Sequence, residues 1–250
     1  VHHETSGPTG TRPLLLLHGG GVAGWMWDPV RARLGEQQRV IVPDLPGHGA
    51  SATEPYVSHA ATVDALARIL KHESAPATVV GFSLGAQLTV LLATQRPDLV
   101  SDAVVISAQA EPARAIGPTL ALLRATAGLA KNERFARLQA RELFVPDDLL
   151  PAYLRTSAGI SRETLVTAVA ENLRFAPPPA WSQFPGSALV LVGQKEKKLM
   201  HRSAAALHRA LPGSTLVTVD GCGHGIPLQR PQWLAELLRA RMDGPRAEAG

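Results

Sequence analysis

The stretch Val79-Val80-Gly81-Phe82-Ser83-Leu84-Gly85-Ala86 decides how the 250-residue chain is read. A short apolar run feeds a G-x-S-x-G pentapeptide, and residues with helical spacing begin at Leu84. A turn this tight between strand and helix holds its serine at a strained backbone angle with the hydroxyl exposed. Glycine suits positions 81 and 85, where a side chain would meet the neighbouring strand or helix. Alone, the pentapeptide is a weak signal in a chain with 22 glycines. The flanking sequence therefore has to supply the groups that such a serine needs.

Outward from this turn, apolar runs recur at 13–17, 39–42, 78–80, 103–106, 188–192 and 215–219. Runs of this kind, with no polar alternation, suit strands buried on both faces of a parallel sheet. Between them, helical spacing covers 25–34, 59–72, 84–95 and 200–211, and a last helix is expected over 231–242. Strand and helix alternate up to about residue 111, which implies right-handed crossovers and a parallel sheet. From 112 to 181 the alternation stops, and four helices are expected over 119–129, 133–143, 147–158 and 161–173. The expected organisation is a core of residues 1–111 and 182–250 with a helical cap, 112–181, inserted into it. An insertion of this length is too long for an ordinary connection and points to a functional role.

Composition narrows the classes. Hydrophobic residues make up 45% of the chain, enough for a sizeable core. Lys and Arg exceed Asp and Glu by 25 to 21, but the arginines are scattered, so no nucleic-acid partner is expected. The one cysteine, Cys222, permits neither an internal disulfide nor a cysteine zinc site; the serine chemistry set out below needs no metal or other cofactor, and none is expected. No apolar stretch reaches the length of a membrane span, and Val1-His2-His3-Glu4-Thr5 lacks a signal-peptide pattern. A cytoplasmic protein acting on a small-molecule substrate is the expectation, with His2 and His3 read as tail.

In a parallel sheet, reactive groups gather at the carboxyl ends of the strands. His18-Gly19-Gly20-Gly21 follows the first run, Ser83 the third, Glu196 the run at 188–192, and His224 the run at 215–219. Ser83 is the expected nucleophile, since a hydroxyl next to a base can be activated at neutral pH. His224 is the expected base, because imidazole titrates near neutrality and can return the proton to a leaving group. The backbone N–H groups of Leu84 and Gly20 are expected to receive the oxyanion, with Gly21 replacing Gly20 if the loop register differs by one. Gly19 and Gly21 would border the substrate. Trp25 and Met26 are expected to line the pocket, with core packing as the alternative.

Four motifs in this order, Leu17-His18-Gly19-Gly20-Gly21, Pro43-Asp44-Leu45-Pro46-Gly47-His48-Gly49, Gly81-Phe82-Ser83-Leu84-Gly85 and Gly221-Cys222-Gly223-His224-Gly225, carry a resemblance over nearly the whole chain. The chain resembles an α/β-hydrolase-fold serine hydrolase of the small capped group that holds esterases, thioesterases, lactonases and C–C bond hydrolases. The resemblance implies an acidic partner for His224 a few residues after the strand at 188–192, where relatives usually carry aspartate and this chain has Glu196. Glu111, after the strand at 103–106, is the alternative acid. It also implies cleavage of an ester or thioester through an acyl-enzyme on Ser83. C–C bond hydrolysis, lactone opening, and cofactor-free lyase or perhydrolase chemistry are the alternatives on the same fold. A serine nucleophile argues against epoxide hydrolase and dehalogenase chemistry. The apolar residues Leu120, Leu122, Leu123, Leu129, Phe135, Leu138, Leu143, Phe144 and Leu154 are read either as a roof over the substrate or as the docking face of the cap.

Overall fold

The computed structural model describes residues 1–128 and 132–243. Its sheet holds β1 (His3–Ser6), β2 (Leu14–Leu17), β3 (Val40–Pro43), β4 (Ala77–Phe82), β5 (Val100–Ile106), β6 (Ser187–Gly193) and β7 (Thr215–Val219). Their spatial order is β1-β3-β2-β4-β5-β6-β7. The six strands from β2 to β7 run parallel, and β1 pairs antiparallel with β3 at the edge. Leu14 to Leu17 show why the apolar runs belong here. All four are fully buried, and alternate members enter different cores. Leu15 and Leu17 belong to the core on the sheet face covered by α2 (His59–Leu70), α3 (Leu84–Gln95) and α8 (Lys198–Ala210). Leu14 and Leu16 pack on the other face, with α1 (Asp28–Leu34) and α10 (Pro231–Asp243). Burying a leucine side chain contributes about 2 kcal/mol, so this short strand ties both layers together.

β1 departs from the expectation of an unstructured tail at His2 and His3. Its four residues, His-Glu-Thr-Ser, are all exposed and carry no apolar pattern. They pair with β3 through the backbone, His3 opposite Pro43 and Ser6 opposite Val40, and Glu4 adds an ion pair with Arg31 of α1 at 2.8 Å. The helix expected over 25–34 begins as a 3₁₀ turn, Gly24–Trp27, and becomes α1 only at Asp28, with Pro29 in its first turn.

Between β5 and β6 lie α4 (Ile116–Thr126), α5 (Glu133–Glu142), α6 (Leu150–Gly159) and α7 (Arg162–Arg174), with no strand among the described residues. Leu129, the end of the first helix expected here, lies outside the described residues. A short helix α9 (Ile226–Gln229) completes the chain between β7 and α10.

Candidate active site

Ser83 stands between the last residue of β4 and the first of α3 with φ 53° and ψ −109°, a left-handed conformation that is strained for any residue with a side chain. Its surroundings explain the two flanking glycines. A Cβ at Gly81 would collide with the carbonyl of Gly85 and the hydroxyl of Thr89, and one at Gly85 with the backbone of Leu17 and His18. Strand and helix can approach this closely only with hydrogen at both positions. Nine of the twelve residues of α3 are buried, so the turn is clamped by packing on nearly every side. The Ser83 N–H donates to the carbonyl of Ile106 at the end of β5, 2.8 Å away.

The Oγ of Ser83 lies 3.2 Å from Nε2 of His224, and Nδ1 of His224 lies 2.9 Å from Oε2 of Glu196. Oε1 of Glu196 accepts from the Ser107 hydroxyl at 2.6 Å and from the Gly193 N–H at 3.0 Å. The Glu196 side chain is almost wholly enclosed, at 1% exposure. Burial alone would raise its carboxyl. The hydrogen bonds from His224, Ser107 and Gly193 and the charge of His224 outweigh burial and hold the group below the usual glutamate range. An ionised carboxylate only accepts, so the His224 Nδ1 carries the proton and its Nε2 lone pair faces the Ser83 hydroxyl.

The two loops that carry these groups are joined to one another. The Lys195 N–H donates to the carbonyl of Cys222, and the Gly221 N–H to the Gln194 side chain. Gln229 accepts the N–H of Gly223, the residue before the histidine. Gln194 and Gln229 therefore hold the His224 loop, while Asp220, four residues before the histidine, is exposed. The Cys222 side chain is buried in the core behind this loop. Glu111, the alternative acid, is tied to Arg202 at 3.0 Å on the surface and has no contact with His224.

The glycine loop after β2 is fixed by the buried His18 and the half-buried Asp44. Nε2 of His18 accepts the Leu45 N–H at 2.9 Å, so its Nδ1 must carry the proton, which it donates to the Gly19 carbonyl at 2.7 Å. Burial first, then the proximity of His48, pushes His18 down to about 3, so it is a neutral hinge pin rather than a base. Asp44 accepts from the N–H groups of Gly24 and Ala50, both at 2.7 Å, joining this loop to the Pro43–Gly49 turn. Gly19 has no room for a side chain against the Phe82 ring, and Gly20 faces Leu84. The N–H groups of Gly20 and Leu84 have no hydrogen-bond acceptor among the described residues. Both residues border the same cavity as Ser83.

That cavity has a volume of about 540 Å³. Its apolar lining comes from Leu84, Leu143, Tyr153, Ile160, Leu165, Ala168 and Val169, and its polar lining includes His48, Gln139, Glu142, Asn172 and Lys197. α7 is the largest single contributor to the wall, through Leu165, Ala168, Val169 and Asn172, with Gln139 and Glu142 from α5 and Tyr153 from α6. α7 is fastened to the core where Gln87 of α3 donates to the Asn172 carbonyl and Glu171 accepts the His59 N–H. Of the expected roof residues that are described, only Leu143 lines the cavity, while Leu122, Phe135, Leu138 and Phe144 are exposed. Ile160, Leu165, Ala168 and Val169 went unrecognised because a cavity face and a docking face have the same helical periodicity.

Met26 is fully buried in the core beside Trp27 and Val30 and does not border the cavity, which corrects its expected lining role. Trp25 is corrected in the same way. Its indole N–H donates to Thr156 of α6 at 3.0 Å and its ring meets Tyr153 edge-on, so it holds the wall rather than forming it. Ser107 was missed altogether. A lone serine after a strand gives no signal in sequence, and its left-handed backbone is visible only in the fold.

Among the described residues no helix is long and apolar enough to cross a membrane. The Mycobacterium tuberculosis protein named Esterase Rv0045c is 36% identical over 256 residues, which span 92% of this chain and 82% of that protein. Lipase LipV of the same organism is 28% identical over 277 residues and 98% of each chain. The solved structure of a thermophilic esterase from Thermogutta terrifontis has the same fold, with a TM-score of 0.78 at 24% identity over 96% of this chain and 92% of its own. The sequence model of the Alpha/beta hydrolase family matches residues 14–237, from the first strand of the parallel sheet into its last helix. With the strand order and the serine turn described above, that match assigns the chain to the alpha/beta hydrolase family.

Proposed function

We propose that the protein hydrolyses a carboxylic ester or thioester of a small to medium, largely apolar substrate through an acyl-enzyme on Ser83. The observation that carries this reading is the relay from Ser83 through His224 to Glu196, with hydrogen bonds of 3.2 and 2.9 Å, opening on a cavity lined mainly by apolar side chains. Relatives named as an esterase and a lipase support ester cleavage as the reaction. A cavity of about 540 Å³ suits a small organic molecule.

In this reading Ser83 Oγ attacks the carbonyl carbon while its proton passes to Nε2 of His224. The carboxylate of Glu196 holds the imidazolium through Nδ1–H. The carbonyl π-electrons move onto oxygen, and the N–H groups of Leu84 and Gly20 receive that charge. The tetrahedral intermediate collapses as Nε2–H protonates the leaving oxygen or sulfur, which departs and leaves an acyl-Ser83 ester. Water then gives a proton to Nε2 as it attacks the acyl carbon. A second collapse returns the proton to Ser83 and frees the acid. In this reading the acyl chain lies along the apolar wall that includes Ile160, Leu165 and Val169.

A series of p-nitrophenyl esters of increasing acyl length tests the assignment. Turnover of the short and medium esters by the wild-type protein, abolished in Ser83→Ala, is the expected result. A folded wild-type protein that turns over none of them would contradict it.

A further inference from the structure

We propose that Ser107 is a positioning residue for Glu196, fixing one carboxylate oxygen so that the other faces His224. The proposal rests on the roles given above to Ser83, His224 and Glu196.

Glutamate brings one more rotatable bond to this position than aspartate, and a carboxylate at the end of a longer stem needs more contacts to keep a single orientation. Two donors converge on Oε1, the Ser107 hydroxyl at 2.6 Å and the Gly193 N–H at 3.0 Å. The two are not equivalent. Gly193 is the last residue of β6 and opens the turn that carries Glu196, so its bond is local to that turn. Ser107 belongs to another strand end. It follows Ile106, whose carbonyl receives the Ser83 N–H, and its own N–H donates to Leu191 of β6 at 2.9 Å. One turn of backbone at the end of β5 thus touches Ser83 and Glu196, the two ends of the relay, and sets the distance that His224 has to bridge.

The backbone supports this reading. Ser107 is buried and has φ 54°. Glycine adopts that conformation without steric cost, whereas a serine there needs a compensating interaction, and the charge-assisted bond to Glu196 supplies one. His224 is the one titratable side chain among the described residues that hydrogen-bonds Glu196, while the flanking Lys195 and Lys197 are exposed. The reaction described above gives Ser107 no contact with substrate, so its effect passes through Glu196.

Steady-state kinetics with p-nitrophenyl acetate on Ser107→Gly, Ser107→Ala, Glu196→Gln and the double variant Ser107→Gly/Glu196→Gln test the proposal. Ser107→Gly removes the hydroxymethyl group and its hydrogen bond but relieves the backbone strain, which offsets part of that loss, so it is expected to fold. Its kcat is expected to fall about tenfold, the worth of one hydrogen bond to a charged group, with KM unchanged. Ser107→Ala is expected to lose the same factor. In the Glu196→Gln background, Ser107→Gly is expected to cost nothing further, because the group it positions is no longer a carboxylate. Wild-type kcat in Ser107→Gly beside a slow Glu196→Gln would overturn the proposal, as would a loss in the double variant equal to the product of the single losses. A loss in Ser107→Ala but not in Ser107→Gly would assign the effect to the backbone and overturn it too. Glu196→Gln at the wild-type rate is a different failure, since it removes the acid role on which the proposal stands.

Discussion

His224 and Glu196 stand 28 positions apart in sequence, with Nδ1 and Oε2 held 2.9 Å from each other between the loops after β7 and β6. Glutamate reaches this point because its carboxylate folds back over its own turn. Oε1 accepts the Gly193 N–H three residues upstream, while the Glu196 N–H donates to the Gly193 carbonyl. Gly193 can lie here only without a side chain, since a Cβ would collide with the backbone of Cys222 and Gly223.

This arrangement separates the two candidate acids. Glu196→Ala is expected to lower kcat by about ten-thousandfold, the scale on which loss of the acid disorders the histidine tautomer. Glu111→Ala removes only an exposed ion pair with Arg202 and is expected to leave kcat within about twofold of wild type. Rates on one p-nitrophenyl ester decide between them. A large loss in Glu111→Ala alone would reverse the assignment.

The serine turn has no tolerance for added atoms at its flanks. Gly85→Ala would drive a methyl group into the backbone of β2, and Gly81→Ala would drive one into α3. In both cases the nearest atom is a backbone carbonyl oxygen, which cannot swing aside as a side chain could. Overpacking of this kind costs about 1–3 kcal/mol or more, and both variants are expected to melt earlier than wild type and to lose activity. Unchanged melting in either would mean that β4 and α3 are not held at this distance.

Acid should weaken the fold through buried histidines. His18, pushed down to about 3 from an ordinary 6.5, stays neutral in the folded protein between those values while the unfolded chain takes up a proton. The stability it supports is therefore complete above about 6.5 and is lost as pH falls toward 3, at up to about 1.4 kcal/mol per pH unit. Burial shifts His48 and His59 in the same direction. Thermal midpoints measured from pH 7 to pH 5 are expected to decline, and His18→Asn is expected to decline less steeply from a lower start. A midpoint independent of pH over that range would contradict the buried neutral pin.

The wall of the cavity sets acyl length in the proposed reaction. Val169 and Ala168 of α7 both border the cavity. Val169→Trp is expected to cut kcat/KM for the longer p-nitrophenyl esters by about tenfold or more while sparing the acetate, since it removes room without touching the reacting groups. An equal loss on every chain length would mean that the acyl group does not lie along α7.

The parallel sheet was legible because buried strands must be apolar on both faces, and Leu14 to Leu17 or Ala188 to Val192 admit few other readings. The antiparallel edge strand was not, because His3 to Ser6 pair through the backbone and expose every side chain. Ser83, Glu196 and His224 could be singled out because each follows a strand end and belongs to a residue type with few bland explanations in that place. Trp25 and Met26 also follow a strand end, but an apolar side chain there serves core or cavity equally well, and packing decided for the core and the α6 contact. The cavity face of α7 has the same limitation. The neighbours of Val169 and Leu165 are fixed by how the inserted helices dock, and a local pattern cannot specify that.

The central claim is that Ser83 is a nucleophile activated by His224, and covalent labelling tests it directly. Intact-mass spectrometry after incubation with a fluorophosphonate should show one adduct on the wild-type protein, mapped to Ser83 by peptide sequencing. Ser83→Ala should remain unlabelled, and His224→Ala should label at least about a hundredfold more slowly. A wild-type protein that stays unmodified, or carries its adduct on another residue, would contradict the account.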